Sequence, residues 1–212
     1  TAAAVGLNEK ALLASGRKKG TDYETVVINQ KSHAGYYPQA TPITLKLLFE
    51  KEGKILGAQA VGQDKVDKRI DTIATVMSMG GTTENLAKLE LAYAPPFSSA
   101  KDPVNMLGFV AENILNKMVS FVTPAELDLL LDTEEGSITV LDVTEDAERM
   151  VFSIPGSVHI PLGMLRDRLG ELNPDKKIIT YCSIGVRSYN AARILAQNGF
   201  RNVSVLAGGT SF

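Results

Sequence analysis

The 212-residue sequence holds one cysteine, Cys182, and two histidines far apart, His33 and His159. A single thiol excludes an internal disulfide, a CxxC redox pair and a thiolate zinc site. Two distant histidines make no cluster, so no metal is expected. No excess of basic charge is present either: 22 basic against 24 acidic groups gives −2, which argues against a general nucleic-acid binder. No run of ~18 apolar residues occurs, so no membrane span is expected. Thr1 is not preceded by a leader pattern, and a chain opening this way reads as a piece of a longer polypeptide. The lone thiol fits a reduced, cytoplasmic setting. What is there is ordinary for a globular protein. Hydrophobic residues make up 44% and charged residues 22%, too apolar for a disordered chain. The length allows one large domain or two small ones.

Two halves follow different patterns, with the division placed at residues 116–121. Residues 1–116 carry thirteen basic and twelve acidic groups, and residues 117–212 nine and twelve. In the first half, Tyr23–Asn29, Ile43–Glu50 and Ile55–Val61 read as strands from their β-branched and apolar content. Glu52-Gly53 marks a hairpin between the last two. Helices are expected at about Asp67–Met79 and Thr83–Leu89, with Gly80-Gly81 ending the first and Thr82 or Thr83 capping the second. A third is expected over Asp102–Lys117, capped by Asp102 and opened by Pro103. Strands followed by helices describe an α+β layer. The second half alternates. A helix at Pro124–Leu131, capped by Thr123 with Glu126 completing a capping box, precedes strands at Ser137–Val143 and Lys177–Tyr181. A helix at Arg187–Asn198 and a strand at Val203–Leu206 complete it. That rhythm implies an α/β domain with a parallel sheet. Neither half contains G-x-G-x-x-G after a strand, so dinucleotide binding in the Rossmann manner is not expected.

The one strong chemical signal is Cys182. It follows the buried-strand pattern Lys177–Tyr181 and begins the segment Cys-Ser-Ile-Gly-Val-Arg-Ser, after which a helix starts. Ligands of open α/β sheets bind beyond the carboxyl ends of strands. The amides of such a loop, the helix N-terminus and Arg187 together favour anionic sulfur at position 182. Gly185 gives the loop its conformational freedom. Two other readings stand beside this one. Cys182 is an inert buried thiol, or the loop cradles phosphate. Cysteine phosphatases hold five residues between Cys and Arg, whereas four stand here, Ser183 to Val186, a cradle better sized for one sulfur atom.

These residues, together with Val140–Val143, Ile154–Pro161 and Val205–Gly209, resemble a single-domain rhodanese over residues 118–212. The resemblance implies that Cys182 is the catalytic residue and carries a sulfane sulfur as a persulfide. The amides of Ser183, Ile184, Gly185, Val186, Arg187 and Ser188 would stabilise it, with Arg187 orienting an anionic donor or acceptor. Asp142 and Arg149 read first as structural, with help in ordering the site as the second reading. Departures are visible: Thr144 stands where the family often has Arg, and Phe152-Ser153 where it often has Gly-His. His159, in an apolar stretch, reads as structural, and His33 as a loop residue.

The stretch Leu91–Asn105 is unusual for Pro95-Pro96 flanked by Tyr93 and Phe97. Physics alone reads it as a packed turn. With Gly57-Ala58-Gln59, Gly62 and Asp71–Ala74, it makes residues 1–116 resemble the C-terminal dimerisation domain of the flavoprotein pyridine nucleotide–disulfide oxidoreductases. Within that family the similarity is to the branch of CoA-disulfide and CoA-persulfide reductases with a rhodanese tail. The resemblance implies a homodimer through residues 1–116, and FAD, NAD(P)H and CoA in the parent protein but none bound by this chain alone. It further implies that Tyr36, Tyr37, Tyr93, Phe97 and Lys101 face the partner subunit's CoA and flavin site. An exposed apolar helix at Val104–Leu115 is expected at the dimer contact.

The expected organisation is therefore an α+β dimerisation domain with an antiparallel sheet (1–116), a linker (117–121) and an α/β rhodanese-like domain with a parallel sheet (122–212). The expected function is sulfur transfer from small sulfane donors to thiol acceptors such as CoA, within a flavin-dependent disulfide or persulfide oxidoreductase. The other reading is a non-enzymatic dimerisation and sulfur-binding module, inactive without FAD and NAD domains.

Overall fold

The computed structural model describes residues 1–134 and 136–210. The chain divides into two compact units, Thr1–Asn116 and Lys117 onward. The first contains β1 (Ala2–Gly6), α1 (Glu9–Ala14), β2 (Glu24–Lys31), β3 (Pro42–Phe49), β4 (Ile55–Gly62), α2 (Val66–Ser78), α3 (Thr83–Lys88) and α4 (Pro103–Leu115). Its strands form an antiparallel sheet in the order β1-β4-β3-β2. Leu45, Leu47 and Phe49 of β3 meet Ile70 and Ile73 of α2 and Leu107 and Ala111 of α4 in the core. Apolar spacings of three and four along both helices put those side chains on the sheet side.

Strand β1 has no signal in its own sequence, Ala-Ala-Ala-Val-Gly, since Ala and Gly are poor strand formers. Pairing makes it: Ala2–Gly6 runs antiparallel to Gly57–Val61. The approach is close. A Cβ on Gly57 would lie 2.1 Å from the Leu7 carbonyl oxygen, so only glycine fits there.

Helix α4 is exposed only in part. The helix begins at Asp102-Pro103 as expected, with the Asp102 carboxylate accepting from the Val104 amide at 3.0 Å. Val110, Ile114 and Leu115 are partly exposed, whereas Val104, Leu107 and Ala111 are fully buried inside their own unit. The reason is Gly108. Its missing side chain lets α3 come so near that a Cβ would lie 2.3 Å from the Ala87 amide nitrogen.

The second unit contains β5 (Phe121–Val122), α5 (Pro124–Thr133), β6 (Ile138–Asp142), α6 (Asp146–Val151), β7 (Val158–His159), β8 (Lys177–Tyr181), α7 (Val186–Gln197) and β9 (Val203–Leu206). Its strands form a parallel sheet ordered β5-β9-β8-β6-β7. The segment expected as a linker is tied to this unit. Arg193 donates to the Met118 carbonyl, the Val205 amide donates to Ser120, and Phe121 opens β5. The capping box at Thr123 and Glu126 forms as expected. Residues 211–212, the end of the expected second domain, lie outside the described residues. The important placement is β8. It lies inside the sheet between β9 and β6, which brings the carboxyl end of β6, at Asp142, beside Tyr181 at the end of β8.

Candidate functional site

Cys182 follows the last residue of β8 and is fully buried. The backbone then turns through Gly185, whose φ of +101° belongs to the left-handed region that glycine enters without strain. Gly185 is the N-cap of α7. This turn points its amide at the sulfur, with Gly185 N to Cys182 Sγ at 3.2 Å. The Cys182 thiol donates to Ser188 Oγ at 3.6 Å, and Ser188 Oγ donates to the Gly185 carbonyl at 2.9 Å. Of the loop amides expected around the sulfur, that of Gly185 makes the hydrogen bond. A serine hydroxyl one turn into α7 supplies the second polar contact. Loss of the thiol proton frees Ser188 to rotate its own proton toward the sulfur. Ile184 and Val186 project outward, 46% and 49% exposed.

The loop is closed from behind by the segment after β9. Thr210 N donates to the carbonyls of Cys182 and Ser183 at 3.1 and 3.0 Å. Gly209 has φ +70°, and a Cβ there would lie 2.4 Å from Ser183 O and 2.5 Å from Cys182 O. Gly209→Ala is expected to cost at least about 2 kcal/mol, from left-handed strain plus displacement of those two carbonyls. Thermal melting of the variant beside wild type checks this. An unchanged melting temperature would contradict the close-approach argument.

Arg187 is present at the loop, but its fork is occupied. Its Nη1 and Nη2 donate to the two carboxylate oxygens of Glu148 at 2.5 and 2.6 Å. Ser183 Oγ also donates to Glu148, at 2.8 Å, and Arg187 Nη2 reaches Ser183 Oγ at 3.2 Å. The hydrogen bonds from Arg187 outweigh burial and hold the Glu148 carboxyl down to about 2, with Ser183 and the Glu145 amide adding to the effect. The same pair raises Arg187 further above its ordinary value. Sequence reading missed Glu148. Its signal was the capping box at α6, where Glu148 also accepts from the Glu145 amide at 3.1 Å. Because its folded value lies below the unfolded one of 4.5, the stabilisation is full above about pH 4.5 and fades as pH falls toward about 2. Glu148 is 39% exposed on its side chain, so solvent screening keeps the effect to about 1 kcal/mol or less. Melting of wild type and Glu148→Gln is expected to differ at pH 7 and to converge as pH falls toward about 2. A constant gap would contradict the pairing.

Beneath the loop, Asp142 is buried and collects four donors. They are the Thr144 amide (3.0 Å) and hydroxyl (2.6 Å), Arg149 Nη1 (2.8 Å) and the Tyr181 hydroxyl (2.9 Å). Burial alone would raise its carboxyl, but these bonds outweigh it and hold the group below its usual value. Arg149 also donates to Ser157 Oγ and O, both at 3.0 Å. Arg149 therefore supplies the guanidinium beside Asp142, with Thr144 contributing an amide and hydroxyl. His159 Nε2 meets the Thr144 carbonyl at 2.8 Å. Among the described residues no group of three or more His, Cys, Asp or Glu is placed to hold a metal.

In the first unit, two of the five candidates for the partner-facing site meet across the fold. The Tyr36 and Tyr93 hydroxyls are 2.9 Å apart on an exposed face, and that bond raises Tyr36 above its ordinary value. Their loops are bound together: the Ala34 amide donates to Pro95 O and Ser98 O. Below them Arg69, fully buried, donates through Nη2 to the Ser32 carbonyl (2.8 Å) and to Asp102 (3.0 Å), which also accepts from Ser98 Oγ (2.6 Å). Tyr37 instead turns to His33, ring centroids 5.8 Å apart; His33 is a loop residue, as expected, and is buried. Phe97 is exposed, and Lys101 Nζ lies 5.1 Å from the centre of the Phe109 ring.

Comparison with known proteins accounts for both units. Residues 1–103 match the model of the pyridine nucleotide-disulphide oxidoreductase dimerisation domain, and residues 123–211 that of the rhodanese-like domain. The chain is 46% identical to the reduced CoADR-RHD of Bacillus anthracis, with a TM-score of 0.91 over 99% of this chain and 36% of that one. It is 40% identical to a NAD-dependent persulfide reductase from A. fulgidus, TM-score 0.85, with the same coverage. A coenzyme A disulfide reductase of Staphylococcus epidermidis is 41% identical over 113 residues, 53% of this chain and 24% of that relative. The chain thus spans about a quarter of that curated relative and about a third of the two solved structures.

Proposed function

We propose that this chain, which joins a pyridine nucleotide-disulphide oxidoreductase dimerisation domain to a rhodanese-like domain, is the C-terminal part of a flavin-dependent CoA-disulfide or CoA-persulfide reductase whose tail transfers sulfur through Cys182. The observation that carries the sulfur-transfer reading is the Gly185 amide aimed at Cys182 Sγ, at the N-terminus of α7. In the first step the Cys182 thiolate attacks the outer sulfur of a persulfide, R–S–SH. The Sγ–S bond forms, the S–S bond of the donor breaks, and the electron pair departs with R–S⁻, leaving Cys182–S–SH. An acceptor thiolate then attacks the outer sulfur, and Cys182 leaves as thiolate. Throughout, the Gly185 amide and the Ser188 hydroxyl hold the negative sulfur, while Asp142 and Arg149 fix the end of β6 against the loop. FAD and NAD(P)H belong to the parent enzyme. The turns after β6 and β8 in this chain, Val143-Thr144-Glu145 and Cys182 to Gly185, lack the glycine pattern that seats a dinucleotide. The exposed Tyr36–Tyr93 pair would face the partner subunit's CoA site in a homodimer formed by residues 1–116.

The complete burial of Cys182 favours the other reading, a module that binds or stores sulfur only in the assembled parent. Mass spectrometry separates the two. After treatment with polysulfide or an organic persulfide, the chain is expected to gain the mass of one sulfur atom at Cys182, removable by cyanide. A folded chain that stays unmodified across donors overturns the transfer reading.

A further inference from the structure

We propose that Glu148 sets the donor specificity of Cys182, closing the Arg187 guanidinium to oxyanionic donors and leaving the loop to donors that release a thiolate. The inference rests on the sulfur-transfer reading and names the substrate class of the same site. The geometry is specific. Arg187 is the cation of the Cys182 loop, and both its Nη atoms are spent on the two oxygens of Glu148 at 2.5 and 2.6 Å. The remaining reach of Nη2 goes to Ser183 Oγ, itself bound to Glu148 at 2.8 Å. A planar guanidinium used in this bidentate way has no matching pair of donors left for a sulfonate or thiosulfonate group.

Charge and surface agree. Thiosulfate brings two negative charges and must expel sulfite: Cys182–S⁻ attacks the outer sulfur, the S–S bond breaks, and SO₃²⁻ leaves with the electron pair. That dianion meets a carboxylate where a free cation would have stabilised it, a repulsive element of the kind that produces specificity. Glu145 and Asp146, next to Glu148 at the start of α6, add charge of the same sign, and residues 117–212 carry nine basic against twelve acidic groups. A persulfide on an organic thiol places one charge at the reacting sulfur and an apolar stem beside it. The exposed Ile184 and Val186 of the loop offer that stem an apolar surface.

The test uses the full chain with cyanide as acceptor and thiocyanate formation as readout, comparing thiosulfate with hydroxyethyl persulfide. Glu148→Gln is expected to raise kcat/KM for thiosulfate at least about tenfold, mainly through KM, and to change that for hydroxyethyl persulfide less than about threefold. Adding Arg187→Met to Glu148→Gln is expected to remove the thiosulfate gain. An unchanged donor ratio in Glu148→Gln overturns the proposal, as does a gain that survives loss of Arg187. A parallel fall with both donors also overturns it, since Glu148 would then only support the loop. Glu148→Asp, which keeps the charge but shortens the side chain, is expected to fall between. If Glu148→Gln does not melt cooperatively, a Glu148→Asp ratio equal to wild type overturns the proposal. Wild type that forms no thiocyanate from either donor sinks the sulfur-transfer reading itself. An active wild type with an unmoved ratio sinks only the role of Glu148.

Discussion

Cys182→Ser is expected to take up no sulfur from any donor while melting within about 1 kcal/mol of wild type. The first half follows from chemistry. The chain has no second cysteine to substitute for Cys182, and a serine hydroxyl stays protonated at neutral pH without an adjacent base. The hydrogen-bond partners of Sγ are the Gly185 amide and the Ser188 hydroxyl, neither of which is a base that could remove a serine proton. The second half follows from packing. A hydroxyl is slightly smaller than a thiol and still receives the Gly185 amide, so only a small void is made in a cluster formed with Leu141, Ile160 and Leu195. Intact-mass measurement after thiosulfate or polysulfide treatment, beside a thermal melt, checks both halves. Sulfur uptake by the serine variant would place the acceptor elsewhere.

Arg69→Met is expected to destabilise the first unit by about 3–5 kcal/mol, the cost of leaving one member of a buried ion pair alone. Arg69 and Asp102 have 0% and 2% of their side chains exposed, so water cannot replace the lost partner. The same substitution strips the Ser32 carbonyl of its 2.8 Å donor. The double variant Arg69→Met, Asp102→Asn is expected to recover part of the loss. The amide is neutral and still accepts from the Val104 amide as helix cap, so the two changes are non-additive. Denaturant unfolding of wild type, both single variants and the pair gives the coupling directly. Additive losses would show that the pair is not the anchor of this region.

Legibility from sequence followed the reach of the interactions. The strand Lys177–Tyr181 and the loop after it were readable because a buried β run, a glycine and a helix start lie within a dozen residues. The Thr123 and Asp102 caps were readable for the same reason. Strand β1 was not, because its pairing with β4 comes from residues more than fifty positions away. Helix α6 was not, because none of its residues is buried, leaving no apolar period to detect, and its capping box alone announces it. Glu148 and Arg69 carry no local sign of importance. Their partners Arg187 and Asp102 stand 39 and 33 residues away. For α4 the apolar spacing was readable, but not that Gly108 brings α3 onto one face of the helix.

The tie between the Ala34 amide and the carbonyls of Pro95 and Ser98 has a kinetic consequence. It makes the two phenol-bearing loops one stiff body, with the Arg69–Asp102 pair as its root. A ligand that met the Tyr36–Tyr93 pair, as proposed, would find a surface whose ordering entropy was spent during folding, so little of its binding energy would be diverted to freezing loops. Its release would then run through breaking contacts rather than through loop fluctuation.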